Sequence, residues 1–374
     1  MFVYTKFENQ PLLFENPTEI VSCYRHSDVK QRFARMESLL DRGFHLAGFF
    51  SYEAGYGFEK KLETEKKYDF PLVYMGCFMA PVSAGNFAHG NTSSPRPGGA
   101  SDFRLSGMKP SLSFENYSED IKNIRDHISI GNVYQITYCM KMNFSFDGDP
   151  HSLFCRLLSE NPVPYPAYID AVNFKILSLS PEMFMRKRGK IIDTKPMKGT
   201  WPRGKNMISD IGARLSLKFD KKNRAENLMI TDLLRNDLGI IGSRVQVKKL
   251  FEVASYRTLH QMTSSVAAVI DENKPLYEIF KALFPSGSVT GAPKIRSMEI
   301  IRGLEKEERK IYTGAIGFIT PGRDLYFNVP IRTILIKDEQ AEMGVGGGII
   351  WDSTPKGEWD ESMLKAKFLT DYAS

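Results

Sequence analysis

Apolar residues follow two rhythms along this chain. At Val29, Phe33, Met36 and Leu40 they recur every three or four residues, which predicts a helix over 29–40 ended by Gly43. The same spacing at Tyr117, Ile121, Ile124 and Ile128 predicts a helix over 113–130 ended by Gly131. Met229, Ile230, Leu233 and Leu234 form the apolar face of a helix over 223–238. Shorter apolar runs with aromatics, 46–52 and 71–79, read as buried strands. The glycines of Tyr52-Glu53-Ala54-Gly55-Tyr56-Gly57 suit a packed turn. In the strand over 133–138, Gln135 falls on the opposite face from Tyr134 and Ile136, ordinarily the solvent face for an amide. From 167 to 200 strands are joined by tight turns, with Arg186-Lys187-Arg188-Gly189-Lys190 as the last one. A hairpin folded about Arg188 sets Glu182 roughly opposite Thr194, near the end where Lys198 lies; a shared pocket and a surface ion pair are both open. The chain ends in strands over 312–320, 325–336 and 341–351 and a helix over 357–369. That helix carries Glu358, Glu361 and Lys365 on one face, a spacing a surface ion pair alone would explain.

The stretch 83–112, rich in Gly, Ser, Asn and Pro, interrupts the pattern and divides the chain. Residues 1–82 form an N-terminal α/β part, 83–112 a flexible linker or loop, and 113–374 the main body. A length of 374 residues is ample for a large core. The net charge of +6 is spread out, and the basic runs 186–190 and Lys221-Lys222 lack the interleaved aromatics of a nucleic-acid platform, so no nucleic-acid partner is expected. Cys23, Cys77, Cys139 and Cys155 are too scattered for a disulfide framework or zinc site and read as reduced core thiols. No signal-like start or membrane-length apolar run is present, which makes a soluble cytoplasmic protein the expectation.

Candidate chemistry concentrates at Pro196-Met197-Lys198-Gly199-Thr200, where Pro196 and Gly199 take the lysine out of a regular ladder. The loop 284–294 carries glycines into a helix that continues to about Leu304, and free amides at a helix start favour an anion. It lacks the Gly-Lys-Ser/Thr order of a P-loop. Gly344-Val345-Gly346-Gly347-Gly348 precedes a strand and lacks the dinucleotide fingerprint, but its glycines allow close approach of a ligand. Arg332 could grip a carboxylate at two points or be a solvated strand residue. A lone histidine such as His260 is usually structural, and Glu226 near a helix start usually serves the helix dipole.

Pro196-Met197-Lys198-Gly199-Thr200 resembles the Pro-Ile-Lys-Gly-Thr signature of the chorismate-binding enzymes, in the variant of their aminodeoxychorismate synthase component I branch. The anthranilate and isochorismate branches commonly have alanine at the lysine. Two further patterns match the family: Glu226-Asn227-Leu228-Met229 followed by 232–238, and Asp352-Ser353-x-Pro355 followed by Glu358, Glu361 and Lys365. The resemblance covers nearly the whole chain. It implies an α+β fold of two packed, mostly antiparallel sheets with outer helices. It implies Lys198 and Glu182 as catalytic residues, and places Gln135, Gly199, Thr200, His260, Ser288, Tyr312, Arg332, Gly346, Gly348 and Lys365 at the substrate. It also implies Mg²⁺ held by Glu226 and Glu361 with Glu358 nearby. Gln135 stands where the isochorismate branch has a water-activating lysine. The implied reaction converts chorismate and ammonia to 4-amino-4-deoxychorismate, a precursor of 4-aminobenzoate and folate, through a Lys198 adduct at C2. A separate glutaminase subunit is the implied ammonia source, because no cysteine sits in a Gly-x-Cys-x-Gly turn. Lys195, where the family often has arginine, is expected to help lower the Lys198 pKa. Anthranilate synthesis is the alternative.

Overall fold

A strand that buries both faces has no reason to alternate, and the run His45-Leu46-Ala47-Gly48-Phe49-Phe50 is such a strand: Phe49 packs inward between two sheets and Phe50 outward beneath helices. The computed structural model describes residues 1–85, 87, 103–255 and 259–372. In chain order its elements begin with β1 (Phe2–Phe7), β2 (Gln10–Glu15), β3 (Glu19–Cys23), α1 (His26–Asp41), β4 (His45–Phe50), β5 (Val73–Phe78), β6 (Val82–Ser83) and β7 (Phe103–Pro110). The middle adds α2 (Phe114–Ser129), β8 (Gln135–Gly148), α3 (Pro150–Glu160), β9 (Tyr165–Asp170), β10 (Lys175–Ser180), β11 (Met183–Arg188), β12 (Ile191–Lys195), β13 (Met197–Pro202), α4 (Met207–Phe219) and α5 (Lys221–Ile241). Next come β14 (Ser243–Ser255), β15 (Leu259–Val269), α6 (Leu276–Leu283), β16 (Gly291–Ala292) and α7 (Lys294–Leu304). The chain closes with β17 (Ala315–Ile319), β18 (Leu325–Asn328), β19 (Thr333–Lys337), β20 (Gln340–Ile349) and α8 (Pro355–Thr370).

Among the described residues these strands form two ten-stranded antiparallel sheets, and the α+β architecture is as expected. The first runs β16-β8-β20-β19-β10-β9-β1-β2-β6 with β7 beside β8; the second runs β13-β15-β12-β11-β18-β17-β4-β5-β3 with β14 beside β15. Val3, Ile169, Ile176 and Leu335 of the first sheet pack with Phe49, Ile316 and Phe318 of the second in one inner core. Helices α1 and α6 cover the outside of the second sheet, and α2, α3, α7 and α8 that of the first. Residues 1–82 supply strands to both sheets. The four cysteines are buried free thiols. No helix among the described residues is long and apolar enough to cross a membrane.

Several local readings change. Most of the stretch read as a linker lies outside the described residues, but 103–110 is β7, paired with β8. Helix α5 starts at Lys221 because the Asp220 carboxylate caps it, accepting from the Asn223 amide at 2.8 Å. The strand expected over 325–336 is split by Pro330 into β18 and β19, which belong to different sheets. The last hairpin turns at Gly189-Lys190, so Arg186, Lys187 and Arg188 lie in β11 instead of in a turn. Lys187 is fully buried, donating to the Arg323 carbonyl at 2.9 Å, and is no solvated turn residue. Met183 pairs with Lys195 across a bulge, which sets Glu182 beside Pro196 instead of Thr194 and brings it closer to Lys198 in sequence register.

Candidate active site

The end of β20 has no side chains of its own over Gly346-Gly347-Gly348, and other elements fill that space. A methyl built on Gly348 would lie 2.0 Å from Gln135 Nε2 and 3.3 Å from Lys198 Nζ, so the amide from β8 and the amine from β13 meet over this glycine. Gln135 is completely buried, and neither amide atom has a hydrogen-bond partner among the described residues. That contradicts the solvent-face reading: exposed Tyr134 precedes the strand, Ala292 of β16 pairs with Gln135, and its amide lies against the side-chain-free Gly348 of β20.

Lys198 is half-buried on β13, and burial lowers its pKa. The carboxylates of Glu226 and Glu182 oppose that shift, while the ammonium of Lys365 assists it. Lys195 is not the assisting cation, for it points to Glu252 at 3.8 Å on the outer side. Glu182, buried beside the start of β11, has its carboxyl pushed up to about 7, chiefly by burial. Ser288 Oγ donates to Glu182 Oε1 at 2.6 Å, and Ser286 Oγ lies 2.9 Å from Ser288 Oγ. The direct contact of Ser288 is therefore Glu182; Ser286 joins it unforeseen, although the Ser-x-Ser spacing in a tight loop was visible.

Lys365 on α8 reaches back to donate to the Gly346 carbonyl at 2.8 Å and pairs with Glu361 at 2.7 Å. Glu358 Oε2 and Glu361 Oε1 lie 3.1 and 3.9 Å from a methyl built on Gly347. Burial, then the Glu361 charge, raises the carboxyl of Glu358; Glu226 is raised by burial and Glu361, against the pull of Lys198. Glu226, Glu358 and Glu361 offer only carboxylate oxygen, the donor Mg²⁺ prefers. As placed, no three His, Cys, Asp or Glu side chains among the described residues are grouped closely enough to hold a metal, and the Lys365 ammonium supplies the counter-charge. The donor chemistry of the three carboxylates is the kind that suits the ion.

Other expected positions lie apart. Both ring nitrogens of His260 are occupied, Nδ1 by Ser255 Oγ at 2.8 Å and Nε2 by Asp210 Oδ1 at 3.0 Å, so it ties α4 to β15. The Tyr312 ring lies under Gly344, about 13 Å along β20 from Gly348, and bonds to Cys139, so it is not among the groups gathered at Lys198. Gly199, with φ +85°, packs against the Asn223 side chain of α5, and Thr200 is exposed opposite Gln261. Arg332 is half-buried just before β19, and its carbonyl accepts from Leu179, near Glu182.

Residues 7–371 match the chorismate binding enzyme family. The chain belongs to that family. Aminodeoxychorismate synthase component 1 of Bacillus subtilis is 37% identical over 254 residues, covering 67% of this chain and 54% of that protein, so the chain spans about half the length of this relative. Anthranilate synthase component 1 of Saccharolobus solfataricus is 30% identical over 369 residues, 96% of this chain and 86% of that protein. The crystal structure of anthranilate synthase component I from Streptococcus pneumoniae superposes with a TM-score of 0.78 over 98% of this chain and 89% of that one, at 22% identity, which shows the shared fold.

Proposed function

We propose that this chain aminates chorismate at C4, giving 4-amino-4-deoxychorismate for 4-aminobenzoate and folate synthesis. The observation that carries the reading is that Lys198 and Glu182 are neighbours in a buried setting, where burial favours the neutral amine and the protonated carboxyl. Protonated Glu182 donates to the departing C4 hydroxyl, which leaves as water. Neutral Lys198 attacks C2 as the ring double bond shifts, forming a C2–N bond and releasing a proton from nitrogen. Ammonia then attacks C4, the double bond returns, and the C2–N bond breaks with a proton restored to lysine. Arg332 and Lys365 offset the substrate carboxylates. Mg²⁺ held by Glu226 and Glu361, with Glu358 alongside, would neutralise substrate charge when bound. Relatives named aminodeoxychorismate synthase component 1 support this reading, and that name also supports a second component delivering ammonia.

Incubation with chorismate, Mg²⁺ and ammonium, followed by mass spectrometry of products and intact protein, tests it. The expected result is aminodeoxychorismate without pyruvate and a protein adduct that vanishes in Lys198→Ala; turnover unchanged in that variant would sink the covalent route. Anthranilate with pyruvate is the second reading, favoured by the nearly full-length match to the Saccharolobus relative. Gly348→Ala probes positioning: its methyl must push Gln135 aside, so turnover should fall about 10²-fold, the cost of an ångström-scale misplacement, while the melting temperature changes little.

A further inference from the structure

Tyr52–Phe58 is a short 3₁₀ helix in which every residue is buried, and the reaction described above gives it no task. A segment that only packed would be apolar at its centre, because burying a carboxyl is costly unless donors meet it. This one carries Glu53, 4% exposed. Its Oε1 accepts from the Arg309 amide at 2.7 Å and its Oε2 from the Lys310 amide at 3.0 Å. The Lys310 carbonyl in turn accepts from the Tyr52 amide at 2.8 Å. The Tyr52 ring lies against the Arg309 guanidinium, 4.3 Å from the ring centre. Glu53 and Tyr52 thus hold Arg309 at its backbone and at its head.

Arg309 passes that hold to the loop that touches Glu182. Its guanidinium donates to Val289 O at 2.8 Å, next to Ser288, and to Thr137 O at 2.7 Å, two residues beyond Gln135. A second contact reaches the same loop directly: a methyl built on Gly55 would lie 2.5 Å from Pro285 Cγ. The Pro285 ring is closed onto its own backbone and cannot swing aside, so the loop fits only against a residue without a side chain. Pro285 leads into Ser286, whose carbonyl accepts from Thr290 Oγ1 at 3.1 Å and whose hydroxyl lies beside that of Ser288. We propose that Glu53 and Gly55 are positioning residues for the acid: the buried 3₁₀ helix sets the loop 285–290 so that Ser288 Oγ meets the Glu182 carboxyl. This rests on the function proposed above, in which Glu182 protonates the departing hydroxyl.

Gly55→Ala and Glu53→Gln test it. The methyl must push Pro285, whereas glutamine keeps the shape of the packed segment but turns an NH₂ donor toward one of the two amides. The groups facing Glu182 are Ser288, Lys198 and the Met197 amide, and each holds its carboxyl down against burial. Losing the Ser288 bond should therefore raise the Glu182 pKa further. With chorismate, Mg²⁺ and ammonium, each variant should lose about 10-fold in kcat with KM little changed, a part of what a positioned acid contributes. The limb on which activity falls with rising pH should move to higher pH. Ser288→Ala should move that limb the same way, and Gly55→Ala/Ser288→Ala should be no slower than Ser288→Ala alone. Unaltered kcat and limb in both variants, losses that multiply in the double variant, or a rise in KM alone overturn the proposal. Infrared difference spectra against Glu182→Gln follow the Glu182 carboxyl without turnover, and its titration should move up in both variants. If the parent forms no aminodeoxychorismate the function reading falls, and an unmoved infrared titration would then overturn the positioning separately.

Discussion

Glu182→Gln is expected to lower chorismate turnover by about 10²–10⁴-fold, the usual contribution of a positioned general acid, with the fold intact. Glutamine keeps the shape and can still accept from Ser288 Oγ, but has no acidic proton for the departing hydroxyl. The pH profile carries the same signature. Glu182 holds its proton below about 7 and loses it above, so parent activity should fall as pH rises through that value. Lys198, lowered by burial, gains its neutral form as pH rises, giving the opposite limb. The two groups face each other and titrate as a pair, so the bell belongs to the pair holding one proton. Stability moves the other way. A carboxyl whose folded pKa lies above its unfolded value of about 4.3 costs stability that appears as pH rises between the two. The variant should therefore be more stable than the parent at pH 8, with the gain vanishing near pH 4. Chemical denaturation at both pH values checks the sign.

Arg309→Met is expected to cost about 3–5 kcal/mol, the penalty for leaving one member of a buried ion pair alone. The Arg309 guanidinium, 3% exposed, donates to both Glu305 oxygens at 2.7 and 2.6 Å, to Val289 O at 2.8 Å and to Thr137 O at 2.7 Å, and stacks over Tyr52 at 4.3 Å. Without it, Glu305, already raised by burial, keeps the Cys139 amide, at 2.9 Å, as its close donor among the described residues. Lowering the pH should shrink the deficit by letting Glu305 protonate, and Arg309→Met/Glu305→Leu should recover most of it. Urea titrations of the three proteins at pH 8 and pH 5 separate these outcomes. Val289 adjoins Ser288, so the single variant should also loosen the hydroxyl that holds Glu182.

Elements with strong local signals were readable in advance. The stripes of α1 and α2, and the glycines that end them with φ +87° and +75°, are local facts of spacing and backbone freedom. The charged residues around Lys198 were legible through motif resemblance, and the structure gathers Glu182, Glu226, Glu361 and Lys365 about that amine. What escaped depends on long-range pairing. Gln135 is buried where β16 pairs with it and Gly348 of β20 lies against its amide, both distant in sequence. Glu305 and Arg309, four residues apart, have the spacing of an ordinary surface pair, and nothing local shows that β8 closes over them. The pairing of both His260 nitrogens with Asp210 and Ser255 likewise has no local sign. The break at Pro330 was visible as a residue, but not that it sends β18 and β19 to different sheets.

The placement of the N-terminal strands bears on modularity. β1 lies between β9 and β2, and β4 between β17 and β5, so residues 1–82 are interior planks of both sheets. The side chains gathered around Lys198 all come from Gln135 onward, yet that half expressed alone would expose β9 and β17 as raw apolar edges prone to pairing with other copies. Recombination among relatives could not graft the reactive half as a cassette; the two halves must be inherited together, or supplied together as complementing fragments.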